Sequence, residues 1–363
     1  MSLAFEIGSA LAKTVYITMA VLTLAGLLTW VERKQSAVMQ DRIGANRASI
    51  FGLRLWGLFH IISDAVKMFT KEDFVPDTPH KFIHAMAPVL AITFALLSFA
   101  VIPFGNSITL FGHVINLQVA DMNVGILFIF AMMSVAVYGV VLAGWSSNNN
   151  YSLLGSLRAS AQMISYEITI GLTLVGTILI YQTVSMQEIV YAQGGLLFGF
   201  LPKWGIFLQP LGFLLFLVAG IAETKRIPFD IPEGESEIIG FFVEYSSMKF
   251  GMFMFTDFIE TVLISSLLTT FFFGGWQVPY LADAGFVFPW GGTWNLNVWI
   301  VEIMRIGSFV VKVAFFCWLL MLIRWTLPRF RFDQLMDLGW KMLLPLSLVN
   351  TMVTALVVLW LTH

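Results

Sequence analysis

Eight stretches of predominantly apolar residues recur along the chain, at roughly 11–31, 82–104, 121–145, 157–180, 204–223, 238–273, 298–326 and 340–361. A helix of about 20 such residues is what a bilayer's hydrocarbon core requires. The pattern therefore predicts an all-α polytopic membrane protein with about eight transmembrane helices in a single integral membrane domain covering residues 1–363. Spans six and seven are long enough to tilt or protrude. Composition agrees, with 58% hydrophobic and 12% charged residues, where soluble domains average about 45–50% and about 25%. The first run keeps charges at both ends (Lys13, and Glu32-Arg33-Lys34) and lacks a small-residue cleavage site. It reads as a retained anchor rather than a cleaved signal.

Basic residues are distributed unevenly over the connections. Fifteen of the 20 Lys and Arg fall in, or at the span margins of, the connections after spans one, three, five and seven, four lie deeper within spans, and the opposite side holds only Lys203. By the positive-inside rule those odd connections face the cytoplasm, which places both termini outside. The first inner connection is itself patterned. Apolar residues recur at 55, 58, 59, 62, 66 and 69, while His60, Asp64, Lys67 and Lys71 fill the other face. This predicts an amphipathic helix over about 52–72, lying along the membrane surface or docked under a partner subunit. The outer connection at 274–297 is rich in Gly, Pro and Trp, and Trp276, Trp290, Trp294 and Trp299 suit the headgroup level.

Metal and disulfide chemistry find little support. A single cysteine, Cys317, excludes an internal disulfide and a four-Cys iron–sulfur site. His80 and His84 have i, i+4 spacing, but no nearby carboxylate or thiol completes a ligand set, so they read as surface polar residues near a helix start. The net charge of −2 gives no argument for a nucleic-acid partner.

The informative chemistry is acidic. Residues 222–245 (an inner loop) carry Glu223, Asp230, Glu233, Glu235, Glu237 and Glu244 between two apolar segments. Carboxylates beside hydrocarbon are expensive unless paired, hydrated or protonated. Ile227-Pro-Phe and Ile231-Pro, woven through the stretch, argue against a merely solvated loop. Glu167 lies mid-span and is expected either to exchange protons or to fasten helices through Tyr166 or Ser165. Glu237 and Glu244, seven apart at the start of span six, are expected to share a helix face. With Glu223 and Glu167 they would form a line of carboxylates entering the bilayer. Glu302 and Arg305 are spaced to neutralise each other. Lys312 lacks a local partner and is expected to meet an acid of another helix, Asp257 or Glu260.

Several strings, in order through nearly the whole chain, resemble one family, the H subunit of proton-pumping NADH:quinone oxidoreductase (respiratory complex I). They are Glu32-Arg-Lys, Arg42-Ile-Gly-Ala-Asn-Arg47, Asp64-Ala-Val-Lys-Met-Phe-Thr-Lys-Glu72, Ile102-Pro-Phe-Gly, Gly144-Trp-Ser-Ser-Asn-Asn-Asn-Tyr through Arg158, and Ala161-Gln-Met-Ile-Ser-Tyr-Glu167. The acidic loop follows, then Gly274-Gly-Trp and Leu322-Ile-Arg-Trp-Thr-Leu-Pro-Arg-Phe-Arg-Phe-Asp-Gln-Leu-Met336. Two departures stand out: Ala45 where the family usually has Pro, and Lys225 where it usually has Asn.

The resemblance implies a bacterial inner-membrane protein, one component of a larger enzyme, without a redox centre or metal of its own. Its partners would be the quinone-site and iron–sulfur subunits of the peripheral arm, small membrane subunits and antiporter-like subunits. Its substrate ligand would be a quinone, ubiquinone or menaquinone, admitted through a tunnel. By residue match, Arg33, Arg42, Asp64, Lys67 and Glu72 would brace the tunnel mouth, and Arg226, Asp230, Glu233, Glu235 and Glu237 would face the quinone, with Arg324 as counter-charge. Glu167, Glu223, Glu244 and Asp257 would begin a proton-coupling chain, with Lys312 deeper in the membrane. Three other readings stand beside it. One is a related component of a membrane-bound hydrogenase or a ferredoxin or coenzyme F420 oxidoreductase. On physical grounds alone, a stand-alone proton or cation transporter fits the acids and Lys312 equally. A purely structural link between arm and membrane would leave Glu167 unmotivated.

Overall fold

The computed structural model describes residues 3–76, 80–110, 113–232, 234, 237–238 and 240–362. Twelve α-helices carry the described architecture. They are α1 (Leu3–Met39), α2 (His60–Thr70), α3 (Lys81–Leu97), α4 (Gly125–Ser146), α5 (Asn150–Tyr181), α6 (Met186–Ala192), α7 (Gly205–Leu208), α8 (Pro210–Glu223), α9 (Ser247–Phe272), α10 (Val298–Thr326), α11 (Phe332–Asp337) and α12 (Leu344–Thr362). Seven helical segments are long and apolar enough to cross a membrane, and α8, the fifth expected span, is shorter at 14 residues. Gln209 and Pro210 separate it from α7, because a proline suits a helix start but not its interior. The protein is an all-α polytopic membrane protein.

The long helices pack around α9. Its central window is 83% buried, against 22% for α1 and for the α11–α12 segment, whose apolar side chains face outward. A buried helix rich in Ser and Thr must satisfy its hydroxyls internally. On α9 they do so by bonding back one turn: Thr261 to the Asp257 carbonyl, Ser265 to Thr261, Thr269 to Ser265. α3 packs on α4 and α9, α5 on α4, α8 and α12, and α9 on α1 and α10. Small residues allow the close crossings, as where Gly139 of α4 abuts Ala87 and Ala91 of α3. Three short antiparallel sheets, β1–β2 (Ser107–Leu110, His113–Asn116), β3–β4 (Leu196–Leu197, Leu201–Pro202) and β5–β6–β7 (Leu281–Ala282, Gly285–Val287, Thr293–Asn295), all lie in connections opposite the cation-rich ones.

The surface helix exists but starts later than its periodicity implied, at His60. Leu55 and Trp56 are left-handed (φ 35° and 55°). Gly57 has φ 89°, and a Cβ there would sit 2.0 Å from the Ala45 carbonyl, so the chain folds back on itself before the helix begins. Ile62, Val66 and Phe69 leave an exposed apolar face on α2. Its C-terminal end is tied to the start of α9, through Ser247 donating to the Met68 carbonyl (2.9 Å) and an Asp73–Lys249 pair (2.8 Å).

The expected sixth span, 238–273, is shortened to Ser247–Phe272. Phe241, Phe242 and Tyr245 turn inward instead and join Phe253, Val140 and Met163 in a core cluster. Gly240, at φ 49°, has the Pro232 carbonyl 1.8 Å from where a Cβ would be. So close an approach of loop backbone leaves no room for a helical start there. Glu237 and Glu244 consequently do not share a helix face, and that expectation is corrected.

Candidate functional site

The loop after α8 is a buried strap rather than a solvated one. Residues 222–226 and 229–232 are all buried. Gln162 of α5 holds it from beneath, its Nε2 donating to the carbonyls of Ala222 (2.7 Å) and Phe229 (2.8 Å). From the other side the Phe330 amide donates to the Pro228 carbonyl, and the Phe229 and Phe330 rings stack 5.4 Å apart.

Two charge clusters flank this strap. At the cation-rich end, Glu32 of α1 bridges Arg226 of the loop (3.4 Å) and Arg324 of α10 (2.5 Å). The Arg226 guanidinium also lies 4.1 Å from the Phe258 ring centre. The next residue of α1, Arg33, pairs with Asp64 of α2 (2.7 Å), and the buried Asp230 pairs with Arg329 (2.9 Å). Deeper in the bundle, the Lys225 ammonium sits 3.2 Å from Asp257 and 3.2 Å from Glu260, two acids one turn apart on α9. All three residues are buried. Burial opposes the Lys225 charge, but Glu260 and Asp257 outweigh it and hold the ammonium above its ordinary range.

Glu223, at the end of α8, lies within electrostatic reach of Lys225, Glu260 and Glu167. Its buried Oε2 has no hydrogen-bond partner among the described residues. With Glu260, Met133 and Met163 it lines a cavity of about 10 Å³, about enough for one water. Glu167 accepts a 2.5 Å hydrogen bond from Ser134 of α4. The arrangement is a run of acidic and basic groups from the cation-rich end (Glu32, Arg226) through Lys225, Asp257, Glu260 and Glu223 toward Glu167. At such separations in a low-dielectric interior the charge on each group acts on its neighbours.

Several sequence expectations change here. Glu167 does not use Tyr166 or Ser165. Consecutive helical positions point in different directions, so Tyr166 donates to the Leu335 carbonyl (2.8 Å), Ser165 accepts from Trp340 (3.1 Å), and Glu167 faces α4. Lys312 meets no acid among the described residues. Its Nζ donates to the carbonyls of Phe273 (2.8 Å), Gly275 (3.0 Å) and Gln277 (2.7 Å), beside the Trp204 ring. Those carbonyls end α9 and begin the 274–297 connection, so Lys312 is drawn to the far end of the bundle from Asp257 and Glu260. Glu302 and Arg305 do pair (2.7 Å), and Asp283 joins them (2.6 Å). His84 is buried rather than superficial, stacked on Tyr245 at 4.0 Å. Burial pushes the Tyr245 hydroxyl up to about 12, so it remains a protonated donor, here to the Ala143 carbonyl.

The remaining predicted residues lie at the periphery. Glu237 pairs with Arg158 (2.8 Å), and Glu244 accepts from Asn149 (2.7 Å). Arg42, Lys67 and Glu72 are exposed, Arg42 donating to Gln40. Glu233 and Glu235 lie outside the described residues. Sequence reasoning gave no role to Glu32, Arg329 or Gln162. Glu32 was visible as the acid before Arg33 and Lys34; Gln162 had no signal, because a glutamine's carbonyl partners belong to tertiary structure. No group of three or more potential metal ligands occurs among the described residues.

The chain is similar to known proteins over nearly its whole length. The family described as NADH dehydrogenase matches residues 12–355. One NADH-quinone oxidoreductase H subunit of Geobacter metallireducens is 46% identical over 352 residues, covering 97% of this chain and 97% of the relative. The corresponding H subunit of Flavobacterium johnsoniae is 42% identical over 336 residues, 91% of this chain and 89% of that protein. An H subunit of Cytophaga hutchinsonii is 42% identical over 354 residues, 96% and 97% of the two chains.

Proposed function

Because this chain belongs to the family of NADH-quinone oxidoreductase H subunits, membrane subunits of complex I, we propose that it walls the quinone's access path and converts quinone reduction into proton movement within the membrane. The observation that carries this reading is the succession of charged groups along the strap, Glu32 with Arg226, then Lys225 with Asp257 and Glu260, then Glu223 within electrostatic reach of Glu260. The cation-rich end faces the cytoplasm and the termini face outward in a bacterial cytoplasmic membrane, as the Lys and Arg distribution favours.

Partner subunits deliver two electrons, and the quinone takes them up with two protons to become quinol. Each negative charge that develops on the headgroup is attracted by Arg226 and Arg324, and by Arg33 at the surface. A unit charge at roughly 4 Å is worth about 4 kcal/mol at an effective dielectric of about 20, equivalent to about three pKa units. A change of that size at the Glu32 cluster is enough to move a proton among the carboxylates beyond it. Glu223 and Glu167 then hand the disturbance sideways toward antiporter-like partners, while Glu237 belongs to the loop facing the quinone and Arg42, Lys67 and Glu72 brace the mouth of the path. The exposed apolar face of α2 and the cations around it suit a peripheral-arm partner or the lipid surface.

The relatives are named as subunits of NADH-quinone oxidoreductase, which favours this reading over a hydrogenase component or a stand-alone transporter. The test is Glu223→Gln in the assembled enzyme, reconstituted in proteoliposomes. Quinone reduction coupled to proton translocation is expected to fall at least tenfold with assembly intact. Full coupled turnover would refute the relay.

A further inference from the structure

Two acids contact one buried ammonium, and a third, Glu223, lies within electrostatic reach of it. Lys225 follows α8 directly, in left-handed backbone (φ 54°), and its Nζ is shared equally between Asp257 and Glu260 at 3.2 Å. One cation against those two acids leaves a negative charge in excess, and Glu223 beside them adds another. Like charges so close in a low-dielectric interior do not all ionise together. The geometry separates their roles. Asp257 and Glu260 each have the Lys225 ammonium in contact at 3.2 Å. Glu223 and Glu260 border the one-water cavity, each with an Oε2 that accepts no hydrogen bond from the described residues, and of these two only Glu260 touches the cation. The other charges that face this group are Arg226, toward Glu260, and Glu167 of α5, toward Glu223.

We infer that Lys225 is the positioning residue of the coupling site: its ammonium clamps Asp257 and Glu260 together and leaves Glu223, the acid with no cation in contact, as the member that takes up and releases the proton. This rests on the relay reading above.

The test compares Lys225→Gln, Lys225→Arg and the double variant Lys225→Gln/Glu260→Gln in the complete purified enzyme, reconstituted in proteoliposomes. The readout is the pH dependence of proton translocation. Removing a cation within about 4–6 Å shifts a carboxylate by about 1–3 units. Lys225→Gln is therefore expected to move the acid limb of the profile toward alkaline pH by about one unit or more, since the uncompensated acids keep their protons longer. Lys225→Arg keeps the limb near its original place. The double variant, which removes one cation and one acid together, brings it back. An unmoved limb in Lys225→Gln overturns the proposal, as does a double variant displaced as far as the single one. If Lys225→Gln fails to assemble, the other two decide by the same limb, and failure of all three to assemble makes Lys225 a structural pin and overturns the proposal. Glu223→Gln separates the two readings. If it keeps full coupling, the relay itself fails; if it loses coupling while Lys225→Gln leaves the limb in place, only the role of Lys225 falls.

Discussion

Glu32, near the cation-rich end of α1, accepts a 2.5 Å hydrogen bond from Arg324 of α10, joining helices whose partners lie 292 positions apart. The same carboxylate also reaches Arg226, so one buried acid ties together the first helix, the acidic loop and the tenth helix.

Removing that acid leaves two guanidiniums without their shared counter-charge. Breaking a buried ion pair from one side destabilises by about 3–5 kcal/mol. Glu32→Gln is expected to lower the recovery of assembled enzyme, and to depress quinone reduction in what does assemble by at least tenfold. Native gel quantification beside a quinone reductase assay checks both, and wild-type values in each would exclude the bridging role.

Gln162 supports the strap with two hydrogen bonds to buried carbonyls. An unmade bond to a buried group costs about 1–3 kcal/mol, so Gln162→Met, a near-isosteric apolar change, is expected to destabilise by about 2–6 kcal/mol. Its thermal unfolding in detergent should shift several degrees lower, and an unchanged midpoint would show that the strap is held elsewhere.

Gly240 cannot carry a side chain. Left-handed backbone is unfavourable for other residues, by about 1–3 kcal/mol, and the Pro232 carbonyl occupies the Cβ position. Gly240→Ala should disturb the loop at Phe241 and Phe242 and reduce the yield of assembled complex several-fold, as judged by co-purification of the other subunits. Gly199, at φ 80° with open space around it, is the control: alanine there meets backbone strain but no clash, and the loss of yield should be clearly smaller.

Lys312 secures the 274–297 connection through three carbonyls. With Lys312→Met those acceptors lose their donor, and the connection should be cleaved faster by protease added from the outer side of sealed vesicles. Lys312→Arg, which retains a cation with several donors, should restore much of the resistance. Equal cleavage in wild type and Lys312→Met would discard this anchoring role.

Much of the architecture was legible in order along the chain. Apolar runs of span length located seven long helices and one short one, and the 3.6-residue pattern over 55–69 located α2, because both signals are local and set by the solvent around each segment. Helix ends were less legible. Span six was expected from 238 and begins at Ser247, since Phe241, Phe242 and Tyr245 gain more by packing into the bundle than by extending a helix. Acids and bases could be identified but not matched. Lys312 was expected to meet Asp257 or Glu260, and those two acids instead face Lys225, which the sequence marks only as a departure from the family pattern.

Hydropathy and charge bias, read residue by residue, thus determined that this chain crosses a membrane repeatedly, which end of it is cationic, and that its acids gather there. Which carboxylate meets which cation was decided only when α1, α8, α9 and α10 packed together. Ion pairs such as Glu32–Arg324 and Lys225–Glu260 join positions far apart in sequence, where no periodicity reaches. Their energies depend on burial and distances of a few ångströms, and those exist only in the assembled bundle.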